Sequence, residues 1–226
     1  MTVMAAIVKT DRVHVLADAA NVCMENGELM GVAKHILPLG RLNAVFVARG
    51  PGCAPEGMVG MICAEWDHDS FDGFLADLPE MMEFYREHED DDFPADLLFA
   101  GFSEKRRRPV AVGWHSQKEP QNGMKPGELY VVESGVISFG LPGLPAAEEF
   151  EPAKHAIPAF EQARREKLNL WYGMGGQVSM GYRIGVGISH AEVTESGVKS
   201  AWLKHWPDRI GKRIDPFKTV QAAMAF

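Results

Sequence analysis

Cysteine is scarce in this chain, with three in 226 residues, at Cys23, Cys53 and Cys63. The number is odd, and the spacing matches neither a disulfide framework nor a zinc-ligand set. A reducing compartment is therefore expected, with no metal or other cofactor implied. Long apolar runs are missing as well. Residues 1–8 are apolar, but no basic leader precedes them, and Asp11 and Arg12 follow soon after. The stretch reads as neither a signal peptide nor a membrane span, and no later run is long enough to cross a bilayer. Positive charge is in deficit too, with 23 Lys and Arg against 31 Asp and Glu for a net charge of -8. So acidic a surface repels phosphate backbones, which sets nucleic acid aside as a general partner. The one basic run, Lys105, Arg106, Arg107 and Arg108 ahead of Pro109, lies between two apolar segments and reads as a solvated turn. Internal repeats, low-complexity tracts and composition breaks are absent. The expectation is a single domain over residues 1–226, soluble and cytoplasmic, without nucleic-acid or membrane partners.

What the chain does have is a block order of elements. Residues 3–9 and 13–17 read as a strand pair around Asp11 and Arg12, and residues 33–39 and 42–48 as two more strands. Arg49, Gly50, Pro51 and Gly52 break the pattern. A helix is expected over 56–65. A stronger one covers 70–88, where Phe71, Phe74, Leu75, Leu78, Met81, Met82 and Tyr85 recur at helical spacing. Ser70 is placed to cap it, and Pro79 to kink or split it. Strands are expected at 96–102 and 109–116 around the basic turn, then short ones at 128–133 and 136–139. A helix over 158–171 and a closing hairpin of 184–193 with 198–205 complete the order. Strands and helices in blocks, not in alternation, favour an α+β arrangement with antiparallel sheets.

Three other groupings carry chemistry in principle. Asp67, His68, Asp69 and Asp72 offer oxygen and nitrogen ligands, but they precede a helix, where carboxylates serve as caps and complement the dipole. His88 with the acidic residues 89–92 reads as a solvated loop. Gly173, Met174, Gly175 and Gly176 lack the Lys-Ser/Thr that a phosphate-binding loop requires. The cysteines read as inert buried thiols. Trp202, His205 and Trp206 read as core and edge packing, or as part of a subunit contact.

The block order resembles that of proteasome β subunits and their bacterial HslV relatives, and three residues make the resemblance specific. In that family a nucleophilic Thr at the mature N-terminus is followed by an Asp at the end of the second strand and a Lys at the start of the third. Thr2, Asp18 and Lys34 stand here at successive intervals of sixteen. Residues 45–50, with Ala48, Arg49 and Gly50, resemble the strand whose small-residue turn supplies an oxyanion donor. Residues 97–112 resemble the central hairpin, 159–165 the penultimate helix and 185–198 the final hairpin. The resemblance implies a four-layer αββα sandwich of two antiparallel sheets flanked by helices, the N-terminal-nucleophile hydrolase fold. It further implies a threonine peptidase acting on peptide or protein substrates within a ring-type homo-oligomer.

The chemistry so implied is acyl transfer at an amide. The Thr2 hydroxyl needs a base, and in this class its own α-amine serves once Met1 is removed. Lys34 would favour the deprotonated hydroxyl, Asp18 would hold Lys34, and a backbone N–H at Gly50 would stabilise the oxyanion. The chain departs from the pattern in four places. Gly181 and Ile184 stand where the family carries a supporting Asp and Ser, Arg49 where a Gly is usual, and only Ser138 lies near the segment that normally adds a further Ser. Two alternatives stay open beside the peptidase. One is a catalytically inactive, self-assembling structural homologue, and the other an amidase of the same class acting on a small amide.

Overall fold

The structure, a computed structural model, describes residues 2–23, 25–39, 41–50, 57, 60, 68–88, 95–116, 123–169 and 180–218. The chain opens with β1 (Met4–Val8), β2 (Arg12–Asp18), β3 (Ala20–Val22), β4 (Leu29–Val32), β5 (Leu37–Pro38) and β6 (Ala44–Arg49). Helix α1 (Phe71–His88) follows, then β7 (Asp96–Ser103), β8 (Arg108–His115), β9 (Tyr130–Val132) and β10 (Gly135–Phe139). The last third holds α2 (Ile157–Arg164), β11 (Leu168–Asn169), β12 (Met180–Gly181), β13 (Gly187–Thr194) and β14 (Gly197–His205).

Two five-stranded sheets carry the fold, one in the order β10-β1-β2-β13-β14 and the other β5-β6-β7-β8-β9. Each ladder within them is antiparallel. This is a mixed α+β fold built on antiparallel sheets. Strand alternation sorts each sheet's side chains into two faces. Met4, Ala6, Val8, Val13, Val15 and Ala17 of the first sheet meet Val45, Val47, Leu98, Ala100 and Ala111 of the second in one apolar cluster. The opposite face of the second sheet, with Phe46, Leu97, Phe99, Val112 and Trp114, packs on Phe71, Phe74, Leu78, Met81 and Tyr85 of α1. The opposite face of the first sheet, with Ala5, Ile7, Leu16 and Ile188, packs on Phe150 and on Phe160 and Ala163 of α2. β1 and β7 are therefore buried at every position, and both read in sequence as continuous apolar runs rather than as alternation.

Local chemistry explains the element ends. The Gly73 N–H donates to Ser70 Oγ at 3.1 Å, so Ser70 caps α1 as its sequence position predicts. Asp72, in the first turn, accepts from the Ser103 hydroxyl and the Lys105 N–H and pairs with Arg106. The basic run thus forms the β7–β8 turn, with Arg106 also paired to Glu133. Pro79 does not split α1, which runs unbroken through it. Pro79 itself is exposed, but Leu78, Met81 and Met82 beside it hold the helix against the apolar cluster, which outweighs one lost backbone bond.

Two expectations are corrected. The strand over 33–39 shrinks to Leu37–Pro38 on a sheet edge, where the missing proline N–H limits pairing. In its place β3 and β4 form a separate two-stranded ribbon. The helix over 158–171 ends at Arg164, where the N–H groups of Arg165 and Glu166 turn back to the carbonyls of Gln162 and Ala163. The helix placed at 56–65 lies almost wholly outside the described residues. No helix among the described residues is long and apolar enough to cross a membrane.

Gly101 shows how tightly α1 is seated. A Cβ there would stand 2.6 Å from the Phe71 ring. Gly101→Ala is expected to destabilise the fold by about 1–3 kcal/mol through overpacking, read as a lower urea midpoint with an unchanged slope.

Candidate active site

The register of β1 against β2 sets Met4 opposite Ala17, so the next pair outward is Val3 with Asp18. The Asp18 N–H donates to the Val3 carbonyl at 3.4 Å. The Asp18 side chain then turns to accept three backbone donors. Oδ1 takes the Val3 N–H at 3.1 Å, and Oδ2 takes the N–H groups of Ala20 and Gly185, each at 3.3 Å. No part of Asp18 is exposed. Burial pushes its carboxyl above the ordinary aspartate value, against the opposing pull of His35, the amino-terminal charge and the backbone donors.

Thr2 is the residue next to Val3 and is itself buried. The chain therefore brings Thr2 and Asp18 to one end of the first sheet. Lys34 is not brought there. Its side chain is exposed, and among the described residues it makes no ion pair. His35 is buried instead, and it bears on Asp18 together with the amino-terminal charge. Residues 33–36 connect β4 to β5 outside any strand, and there His35 and Ile36 turn inward while Lys34 turns out, so an interval of sixteen does not fix which side chain is buried. Gly50 lies half-buried just past the end of β6.

Arg49, the last residue of β6, points back over the same end of the sheet. Its Nε donates to Asp96 Oδ2 at 2.5 Å, with the two side chains 10% and 2% exposed. Its guanidinium also lies 6.0 Å from the Phe139 ring centre. Gly140, at φ +76°, leaves it room, since a Cβ there would come within 2.9 Å of Arg49 Nη1 and 3.1 Å of Val3 Cγ1. The charge that Arg49 brings beside Gly140 is thus neutralised by Asp96. Among the positions that depart from the family pattern, Gly181 is half-buried in β12 and Ile184 is buried. The Ser138 hydroxyl donates to the Leu141 carbonyl at 2.8 Å.

The remaining sequence candidates fall elsewhere. Asp69 pairs with Arg41, and Asp72 serves α1 and the β7–β8 turn. Asp67, residues 89–92, residues 173–176, Cys53 and Cys63 lie outside the described residues. Cys23 is a free, half-buried thiol. Among the described residues no group of three His, Cys, Asp or Glu side chains is placed to hold a metal ion.

Sequence reading missed three polar groupings, because each joins residues far apart in the chain. Besides Arg49 with Asp96, Arg164 forms a doubly bonded pair with Asp208, both 4% exposed. His14 Nδ1 and His190 Nε2 stand 3.1 Å apart on adjacent strands, with Glu192 beside His14 at 3.8 Å. Burial, then His190, push the His14 imidazole down to about 4, against Glu192. Burial likewise lowers His190. No known family and no curated protein matches this chain.

Two outcomes follow from these groups. Between pH 6.5 and about 4 the unfolded chain protonates His14 while the folded one resists, so stability falls as pH falls through that window. Melting curves across it should show a shallower slope for His14→Gln than for the parent. Asp96→Asn leaves Arg49 charged and without its buried partner, and should cost about 3–5 kcal/mol in denaturant unfolding.

Proposed function

We propose that the chain has the N-terminal-nucleophile hydrolase fold of proteasome β-type subunits, a four-layer αββα sandwich, and that it is an N-terminal threonine hydrolase acting on peptide amides. The observation that carries this reading is the position of Thr2. It heads the central strand pair of one sheet, next to a residue tied in both directions to a fully buried Asp18. The two stacked sheets with a helix against each outer face are consistent with it.

Once Met1 is removed, the Thr2 amine takes the hydroxyl proton as Oγ1 attacks the substrate carbonyl carbon. The tetrahedral oxyanion is stabilised by a backbone N–H at Gly50. Collapse breaks the C–N bond, and the leaving amine receives the proton from the α-amine. Water then attacks the Thr2 ester, again with the amine as base, and releases the acid. In this reading Asp18 anchors the strand that presents Thr2. His35, in place of Lys34, supplies the positive charge near it.

A second reading, a non-catalytic self-assembling homologue, is favoured by the outward Lys34 and by Asp18 being occupied with backbone donors. The two diverge in simple measurements. For the hydrolase, intact mass should show loss of one methionine. The processed protein should cleave at least one member of a fluorogenic peptide panel, and Thr2→Ala should abolish that cleavage. Full retention of Met1 with no cleavage would sink the hydrolase and leave the second reading. A strictly monomeric species in light scattering would then remove that one also.

A further inference from the structure

Val186 is β-branched and yet has φ +68°. A non-glycine residue rarely adopts that region, and a β-branched one least of all. The Gly187 N–H donates to the Gly185 carbonyl at 2.8 Å, so Val186 is the centre of a three-residue turn of the strained kind. Such backbone persists only where the surroundings over-determine it, and it gathers where a chain must present a group in one place.

The surroundings here are specific. Asp208 Oδ2 accepts the Val186 N–H at 2.8 Å. The Val186 carbonyl accepts the Trp206 N–H at 2.8 Å. Arg164 from α2 fixes Asp208 with two bonds of 2.7 and 2.6 Å, and its Nη1 also donates to the Ile184 carbonyl at 2.7 Å. The Arg164 guanidinium stacks on Trp206 at 4.7 Å. Gly185 is closed in by the same groups. A Cβ there would stand 2.7 Å from Ile214 Cδ1, 3.0 Å from Asp208 Oδ2 and 3.2 Å from Arg164 Nη1. What this turn presents is the Gly185 N–H, which donates to Asp18 Oδ2.

We propose that Asp208, held by Arg164, is a positioning residue that keeps the strained Gly185–Gly187 turn in place and so keeps the Gly185 N–H on the Asp18 carboxylate. The C-terminal segment would in this way reach the start of the chain through one buried ion pair. The inference concerns the ionisation of Asp18 and stands whether or not Thr2 is a nucleophile.

The test reads Asp18 directly. The protein labelled with 13C-carboxyl aspartate is titrated by NMR as the parent, Asp208→Asn, Val186→Gly and the double variant. The charged groups that face Asp18 are His35 and the amino terminus, and His35 is followed in the same titrations by its ring resonances. Loss of a donor to a carboxylate disfavours the ionised form, so Asp208→Asn should raise the Asp18 midpoint by about one pH unit. Glycine takes a positive φ without strain. The double variant should therefore return the midpoint toward the parent value. Val186→Gly alone should leave the midpoint unchanged, its relief of strain being opposed by the lost packing of Val186 on Ala20, Val22, Leu29 and Ile214. A folded Asp208→Asn protein with an unmoved Asp18 midpoint overturns the proposal. Should Asp208→Asn not fold, the paired change Arg164→Met with Asp208→Leu removes both charges at once, and a folded protein of that kind with an unmoved Asp18 midpoint overturns the proposal.

Discussion

Three segments that are distant in the sequence meet on one carboxylate. Asp18 accepts N–H groups from Val3 at the head of β1, from Ala20 at the start of β3 and from Gly185 before β13. Val3 and Gly185 sit just before their strands begin, and Ala20 is the first residue of β3, so Asp18 takes up donors at strand ends. A buried carboxylate is costly unless its oxygens are satisfied, and unpaired buried N–H groups are costly too. The two costs cancel only while all three segments stay in place. The end of the first sheet is therefore closed by polar chemistry, while the rest of that sheet is held by apolar contact on both faces.

Buried ion pairs extend the same logic outward. Arg49 with Asp96 joins the ends of β6 and β7 beside Val3 and Gly140. Arg164 with Asp208 joins α2 to the chain beyond β14. Pairs of this kind add little net stability against an apolar replacement, but losing one partner is severe because the other is left charged and dry. Their effect is to admit one arrangement of the segments around Asp18 and to penalise the others. The strained backbone at Val186 fits that picture, since it is the point where the polar framework overrides a local preference.

Much of the fold was legible in the chain. The apolar runs of β1, β2, β6, β7 and β8, the Ser70 cap and the helical spacing of α1 all follow from side-chain periodicity, and all are found. The shorter pieces were less legible. A run such as residues 33–39 looks like a strand by composition, but whether it pairs depends on a neighbour that the sequence does not identify, and Pro38 shortens the pairing that does occur. At the candidate site, the intervals linking Thr2, Asp18 and Lys34 located the right end of the first sheet for two of the three. The interval could not say which of Lys34 and His35 faces inward, because both lie in the connection between β4 and β5, where no strand alternation sets the direction of a side chain.

By itself, then, the sequence determined the element types, the antiparallel α+β class, the two helices that cover the sheets and the closeness of Thr2 to Asp18. These rest on local periodicity and on a hairpin short enough for its register to follow from its ends. Only the tertiary structure decided which charge faces Asp18, that Arg49 is neutralised by Asp96, and that Asp208 holds the turn at Val186. Those contacts lie beyond the reach of local periodicity: Val186 and Asp208 stand 22 positions apart, and Arg49 and Asp96 stand 47. Burial, not spacing, chooses their partners: a charge withdrawn from water must take whatever counter-charge the packed elements bring within reach.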